Sequence, residues 1–159
     1  TNYSFVNWSD GSTDNPRTDL SVTADVTVTA NFVEDNTELE NWRFIHFGTY
    51  DNTGTAADDF DADFDGILNL VEYATGTDPN SPSISSFKIR PAAGSGLEVR
   101  FDRILDSSLS YTVEGAGNLG AAIWNPVWTG SGTSADEVIV PDTLWPSGTQ
   151  YFLRLNVSY

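Results

Sequence analysis

The chain has 159 residues, with 7 Lys+Arg against 23 Asp+Glu and a formal net charge of −16. It has no Cys and a single His, His46, which excludes disulfides, thiolate zinc sites, cysteine nucleophiles and His-rich metal sites. So acidic a chain is unsuited to nucleic acid or anionic lipid, and no run of ~18 apolar residues is present that could span a bilayer.

The acidity is uneven. Residues 1–83 hold two basic residues, Arg17 and Arg43, against 16 acidic ones, whereas residues 84–159 hold five (Lys88, Arg90, Arg100, Arg103, Arg154) against seven. A shift this large predicts separate modules, here 1–33, 34–83 and 84–159. In the first, apolar residues recur every second position in Tyr3 to Trp8, Leu20 to Thr23 and Val26 to Phe32, which predicts three half-buried strands. The intervening Ser9 to Pro16 is rich in turn formers.

From Thr37, the residues Leu39, Trp42, Phe44, Ile45 and Phe47 predict a short amphipathic helix, capped by Thr37 and stopped by Gly48. A second helix is expected from about Leu68 to Gly76. Beyond residue 83, Phe87/Ile89, Leu97/Val99/Phe101, Tyr111/Val113, Val138/Val140 and Leu153/Leu155/Val157 alternate with polar residues. At least five short strands at this spacing predict a small antiparallel sandwich, with Gly94-Ser95-Gly96 as a hairpin turn. The fold class expected is mainly β: a β-sandwich with a helix–loop–helix insert and a partial N-terminal β repeat.

The chemistry-bearing motif lies between the two helices. Residues 61–72 fill every slot of a twelve-residue EF-hand loop. Asp61, Asp63 and Asp65 stand at positions 1, 3 and 5, Gly66 at the sharp turn, and Ile67 at the backbone-carbonyl position. Asn69 is at position 9 and Glu72 at position 12. Calcium wants 6–8 oxygens, and four carboxylates in twelve residues repel one another until a divalent ion neutralises them. A sensor would need a Met-rich groove. With no Met and one loop, the ion is expected to be structural Ca²⁺.

Two resemblances extend this reading. The stretch YSFVNWSDGSTDNPRTDLSVTADVTVTANF resembles the second half of the internalin-type B repeat of bacterial surface and secreted proteins. NWRFIHFGT and AADDFDADFDGILNLVEYATGTDPNSP are similar to dockerin and bacterial thrombospondin-type-3 calcium loops. One loop stands where dockerins have two, which argues against a cohesin partner and places a dockerin-type protein-interaction module third among the candidate functions. The continuation through YFLRLNVSY resembles a β-sandwich tail closing large secreted proteins of polysaccharide-degrading aquatic bacteria. These resemblances imply an extracellular or cell-surface location and a parent catalytic domain in the same chain. The opening at Thr1 and the close at Tyr159 fit the C-terminal piece of such a protein.

No catalytic residue is expected. His46 falls mid-helix among aromatics, and carboxylate pairs drawn from 23 acids are unspecific. With 5 Trp, 6 Tyr and 9 Phe, the expected function is a non-catalytic, calcium-stabilised carbohydrate-binding module. Trp128 and Trp145 are the candidate stacking platforms, and Arg90 and Arg100 the polar contacts to a polysaccharide. If Lys88, Arg90, Arg100 and Arg154 share one sheet face, that polysaccharide is anionic; the competing reading pairs them with Glu98, Asp102 and Glu114 across strands. The rival function is a structural spacer or surface-attachment tail without glycan affinity.

Overall fold

The computed structural model describes residues 3–120, 123–145 and 151–159. Two strands, β1 (Tyr3–Trp8) and β2 (Ala30–Glu34), precede two helices, α1 (Glu38–Phe47) and α2 (Asn69–Thr75). Six strands follow: β3 (Lys88–Pro91), β4 (Leu97–Arg103), β5 (Asp106–Ala116), β6 (Asn125–Gly132), β7 (Asp136–Pro141) and β8 (Phe152–Ser158). The protein is mainly β, with three antiparallel sheets ordered β1-β2, β3-β4-β7 and β6-β5-β8.

The N-terminal sheet is smaller than its alternation predicts. Of the three expected strands only Tyr3–Trp8 forms as drawn; residues 20–29 are irregular, and the partner strand begins at Ala30. Six residues of β1 offer a ladder only to 30–34, and β-branched composition without a pairing edge does not make a strand. Phe5, Trp8 and Phe32 form a local aromatic cluster, with the Arg17 guanidinium 5.7 Å from the Trp8 ring. No buried apolar core residue lies before Leu39 among the described residues.

α1 starts as its sequence dictates. Thr37 and Glu40 form a capping box, the Thr37 N–H donating to Glu40 Oε2 at 2.7 Å and the Glu40 N–H to Thr37 Oγ1 at 3.2 Å. Gly48 takes φ 74°, open to glycine at no steric cost, and ends the helix. The buried face differs from the expected one. Leu39 and Arg43 are buried and Trp42 half-buried, while Phe44 and Ile45 are 48% and 76% exposed. The 3.6-residue period selects 39, 42, 43 and 46 as one stripe, and the neighbouring loop supplies Asp58, which accepts from Arg43 Nη2 at 2.6 Å. Phe44 instead stacks on Tyr50 outside the core.

The six later strands bury their alternating residues together. Val99 and Phe101 of β4, Leu109, Tyr111 and Val113 of β5, Val138 and Val140 of β7 and Val157 of β8 form one core with Leu39, Tyr73 and Ala74 of the helices. Phe101 is its aromatic hub, with Phe87, Tyr111 and Trp128 rings centred 6.1, 6.0 and 5.7 Å away. The expected strand set omitted β6, because Asn125-Pro126-Val127-Trp128-Thr129-Gly130-Ser131-Gly132 shows no alternation. Its place at a sheet edge explains the tolerated Pro126.

α2 is bonded to the β unit residue by residue. Tyr73 Oη donates to Asp106 Oδ2 at 2.6 Å, and the Ala74 carbonyl accepts from Tyr111 Oη at 2.8 Å and from the Ile104 N–H at 3.1 Å. Burial pulls the Asp106 carboxyl upward, but bonds from Tyr73 and Ser108 hold it below the usual carboxylate range. Tyr73→Phe removes a donor to a buried charge and is expected to cost about 1.5–3 kcal/mol, read from urea unfolding.

Candidate metal centre

The loop from Asp61 to Gly66 is folded by its own carboxylates. Asp61 Oδ2 accepts from the Gly66 N–H at 2.8 Å and Asp61 Oδ1 from the Asp65 N–H at 3.2 Å. Asp63 Oδ1 also accepts from the Asp65 N–H, at 3.1 Å, and Asp65 Oδ1 from the Ile67 N–H at 2.8 Å. These turns curl the chain inward and bring one oxygen each of Asp61, Asp63 and Asp65 within 4.8 Å of one another. Gly66, at φ 93°, occupies the left-handed region that the reversal requires.

Glu72 enters from α2. It is completely buried; Oε1 accepts from Thr77 Oγ1 at 3.3 Å and Oε2 has no partner. Burial, and then the charges of Asp63, Asp65 and Asp61, push its carboxyl up to about 7. Asp63 Oδ2 is likewise buried without a partner. Asp65 is pulled upward by burial and held below the usual range by Ser83 and Ile67. Its Oδ2 accepts from the Ser83 N–H at 2.7 Å and from Ser83 Oγ at 3.2 Å.

Asn69 is buried, with Nδ2 donating to the carbonyls of Thr55 and Ala57 at 2.9 and 2.8 Å and Oδ1 unpartnered. The Asn69 N–H donates to Phe60 O and the Leu70 N–H to Asp58 O, so the start of α2 is sewn to the loop before the aspartates. Asp58 is itself held by Arg43 and Asn52. Of the six proposed ligand residues, the structure brings Asp61, Asp63 and Asp65 together and sets Glu72 in their field, while Ile67 and Asn69 serve the turn and the helix start. The sequence reading missed Thr77, Ser83 and the Arg43–Asp58 pair. Thr77 lies in the Gly-Thr-Asp-Pro ending, whereas Ser83 is 18 residues from Asp65 and no local pattern points to it.

The donors are all hard oxygens, with no thiolate or imidazole among them. Asp63 Oδ2 and Glu72 Oε2 are buried and unpartnered carboxylate oxygens, a donor type that hard divalent cations favour.

The other candidate residues lie elsewhere. Trp128 is half-buried in β6, its ring edge-on to Phe101 and so close to Gly130 that a Cβ there would collide with it. Trp145 is half-buried against the same core, and residues 146–150 of its loop lie outside the described residues. Trp8 and Trp124 are also half-buried, the latter under the Arg154 guanidinium 4.4 Å away. Lys88, Arg90 and Arg100 share the outer face of the β3-β4-β7 sheet, Lys88 opposite Arg100 and Arg90 opposite Glu98. Arg154 stands in the other sheet and pairs with Glu114 at 2.8 Å. His46 lies 4.8 Å from Trp42, ring to ring, and 3.5 Å from Asp78 Oδ1.

Among the described residues no helix is long and apolar enough to cross a membrane. Compared with known proteins, the chain matches no family model, no curated protein and no solved structure.

Proposed function

We propose that residues 61–72 take one calcium ion and that the chain is a non-catalytic, calcium-braced module of a secreted bacterial protein. The observation that carries this reading is Glu72, a wholly buried carboxylate with a free oxygen in the field of three aspartates. Burying such a group without a counter-charge is unfavourable; a bound dication supplies the missing charge. Asp61, Asp63, Asp65 and Glu72 would be the side-chain ligands, with Ile67 lending its carbonyl and Asn69 acting directly or through water, as the loop pattern assigns them.

The geometry favours a brace over a sensor. Three consecutive residues of α2 face different tasks. Glu72 serves the ion, Tyr73 holds Asp106, and Ala74 takes the bonds from Ile104 and Tyr111. Fixing Glu72 therefore fixes how the helical segment meets the β-sandwich formed by the two three-stranded sheets. The secreted setting supplies calcium at millimolar level, where a modest affinity suffices.

Calorimetric titration of the metal-free protein with calcium tests this directly. One ion per chain is expected, accompanied by slower amide exchange at Ile104 and Tyr111. A silent titration up to several millimolar calcium, with unchanged exchange, would refute the assignment.

A further inference from the structure

We infer that the outer face of the β3-β4-β7 sheet carries a binding site for an acidic sugar unit, a uronate or a sulfated residue of a polysaccharide. The inference is independent of the metal reading. Five of the seven cations are engaged in ion pairs among the described residues; Lys88 and Arg90 are the two that are not. They stand two apart on β3 and so point to the same side of the sheet. The register sets Lys88 beside Arg100. In a chain of net charge −16, this sets three of the seven cations on one sheet face, two of them in no ion pair.

All three line a recess of about 270 Å³ between the sheet and the end of α2. Ser86 lies on its wall with a hydroxyl that finds no hydrogen-bond partner. Arg100 is pre-set by its neighbours: Nε donates to Glu98 Oε1 at 2.6 Å and Nη1 to Glu137 Oε2 at 2.8 Å. A guanidinium held in this way meets an incoming anion without first losing rotamer freedom.

The recess also identifies the class of ligand. Asp102 and Glu137 line it together with the cations. Their carboxylates would repel an acidic peptide or a phosphodiester, which bring many negative charges and few donors. A sugar acid brings one anionic group for Lys88 and Arg90 and several hydroxyls, which donate to Asp102 and Glu137 and accept from Ser86. This mixture of free cations and acceptors in one polar hollow suits a polyhydroxylated anion.

Native affinity electrophoresis in millimolar calcium tests the site. Gels would contain hyaluronan as the carboxylate polymer, dextran sulfate as the sulfate polymer, or neutral dextran. Retardation is expected in at least one anionic gel and not in the neutral one, and the gel that retards identifies the anion. Lys88→Gln/Arg90→Gln should weaken retardation at least about tenfold, two charged contacts being lost. Both side chains reach solvent and join no ion pair, so the variant should melt with the parent; Arg90→Glu provides an independent substitution with the same expected loss. Free migration in both anionic gels, retardation by neutral dextran, or undiminished retardation of both variants would overturn the site.

Discussion

Chelating divalent ions should lower the melting temperature by roughly 5–10 °C, and Glu72→Gln should abolish that difference. With calcium at about 100 times its dissociation constant, binding to the folded state alone contributes about 2.7 kcal/mol, which for a chain of this size corresponds to the stated shift. The variant separates the metal account from a purely structural one. In calcium it should melt well below the parent, having lost its two-oxygen ligand. In chelator it should melt no lower than the parent, because a neutral amide replaces a buried carboxylate facing Asp61, Asp63 and Asp65. If Glu72→Gln gained as much from calcium as the parent, the loop would not be the site.

The same group gives the chelated protein a distinctive pH profile. The folded-state carboxyl of Glu72 sits at about 7, above its unfolded value of 4.5. The folded protein therefore binds this proton more tightly than the unfolded one. The associated stability is fully present below the unfolded value and is lost as pH rises towards 7. Asp106 and Asp136, whose carboxyls are held low, act in the opposite sense and in a more acidic window. Differencing the parent against Glu72→Gln in chelator isolates the Glu72 contribution, which should fall from pH 4.5 to 7.

Phe101→Ala should destabilise the fold by about 3–5 kcal/mol, a large share of the total for a domain of this size. Phe101, on β4, is 1% exposed and packs against Tyr111 and Trp128 of the β6-β5-β8 sheet and Phe87 of the segment before β3. Truncation leaves a void between two sheets held apart by their own backbones, which cannot close it. Ser110→Ala, on the exposed side of β5, should stay within about 0.5 kcal/mol. Urea midpoints at constant slope measure both, and a Phe101→Ala loss as small as that of Ser110→Ala would show that the two sheets do not share this core.

What could be read from the chain alone is what short-range chemistry dictates. The Thr37–Glu40 capping box, the helix stops at Gly48 and Gly76 and the curl of Asp61 to Gly66 involve partners within five residues, so their spacing is visible in one dimension. The alternation of β4, β5, β7 and β8 was visible because each has one apolar face. What the tertiary structure decided depends on distant partners. Arg43 is buried, and Phe44 and Ile45 exposed, because Asp58 comes to meet the guanidinium. β6 exists because β5 offers it an edge, and Trp128 packs edge-on to Phe101 for the same reason. Lys88 and Arg90 join no ion pair among the described residues: the ladder sets Lys88 opposite Arg100, and Glu98, opposite Arg90, is taken by Arg100. For Arg103 and Arg154 strand register supplies the partner, Asp136 and Glu114, since side chains far apart in sequence meet where the ladder sets them opposite.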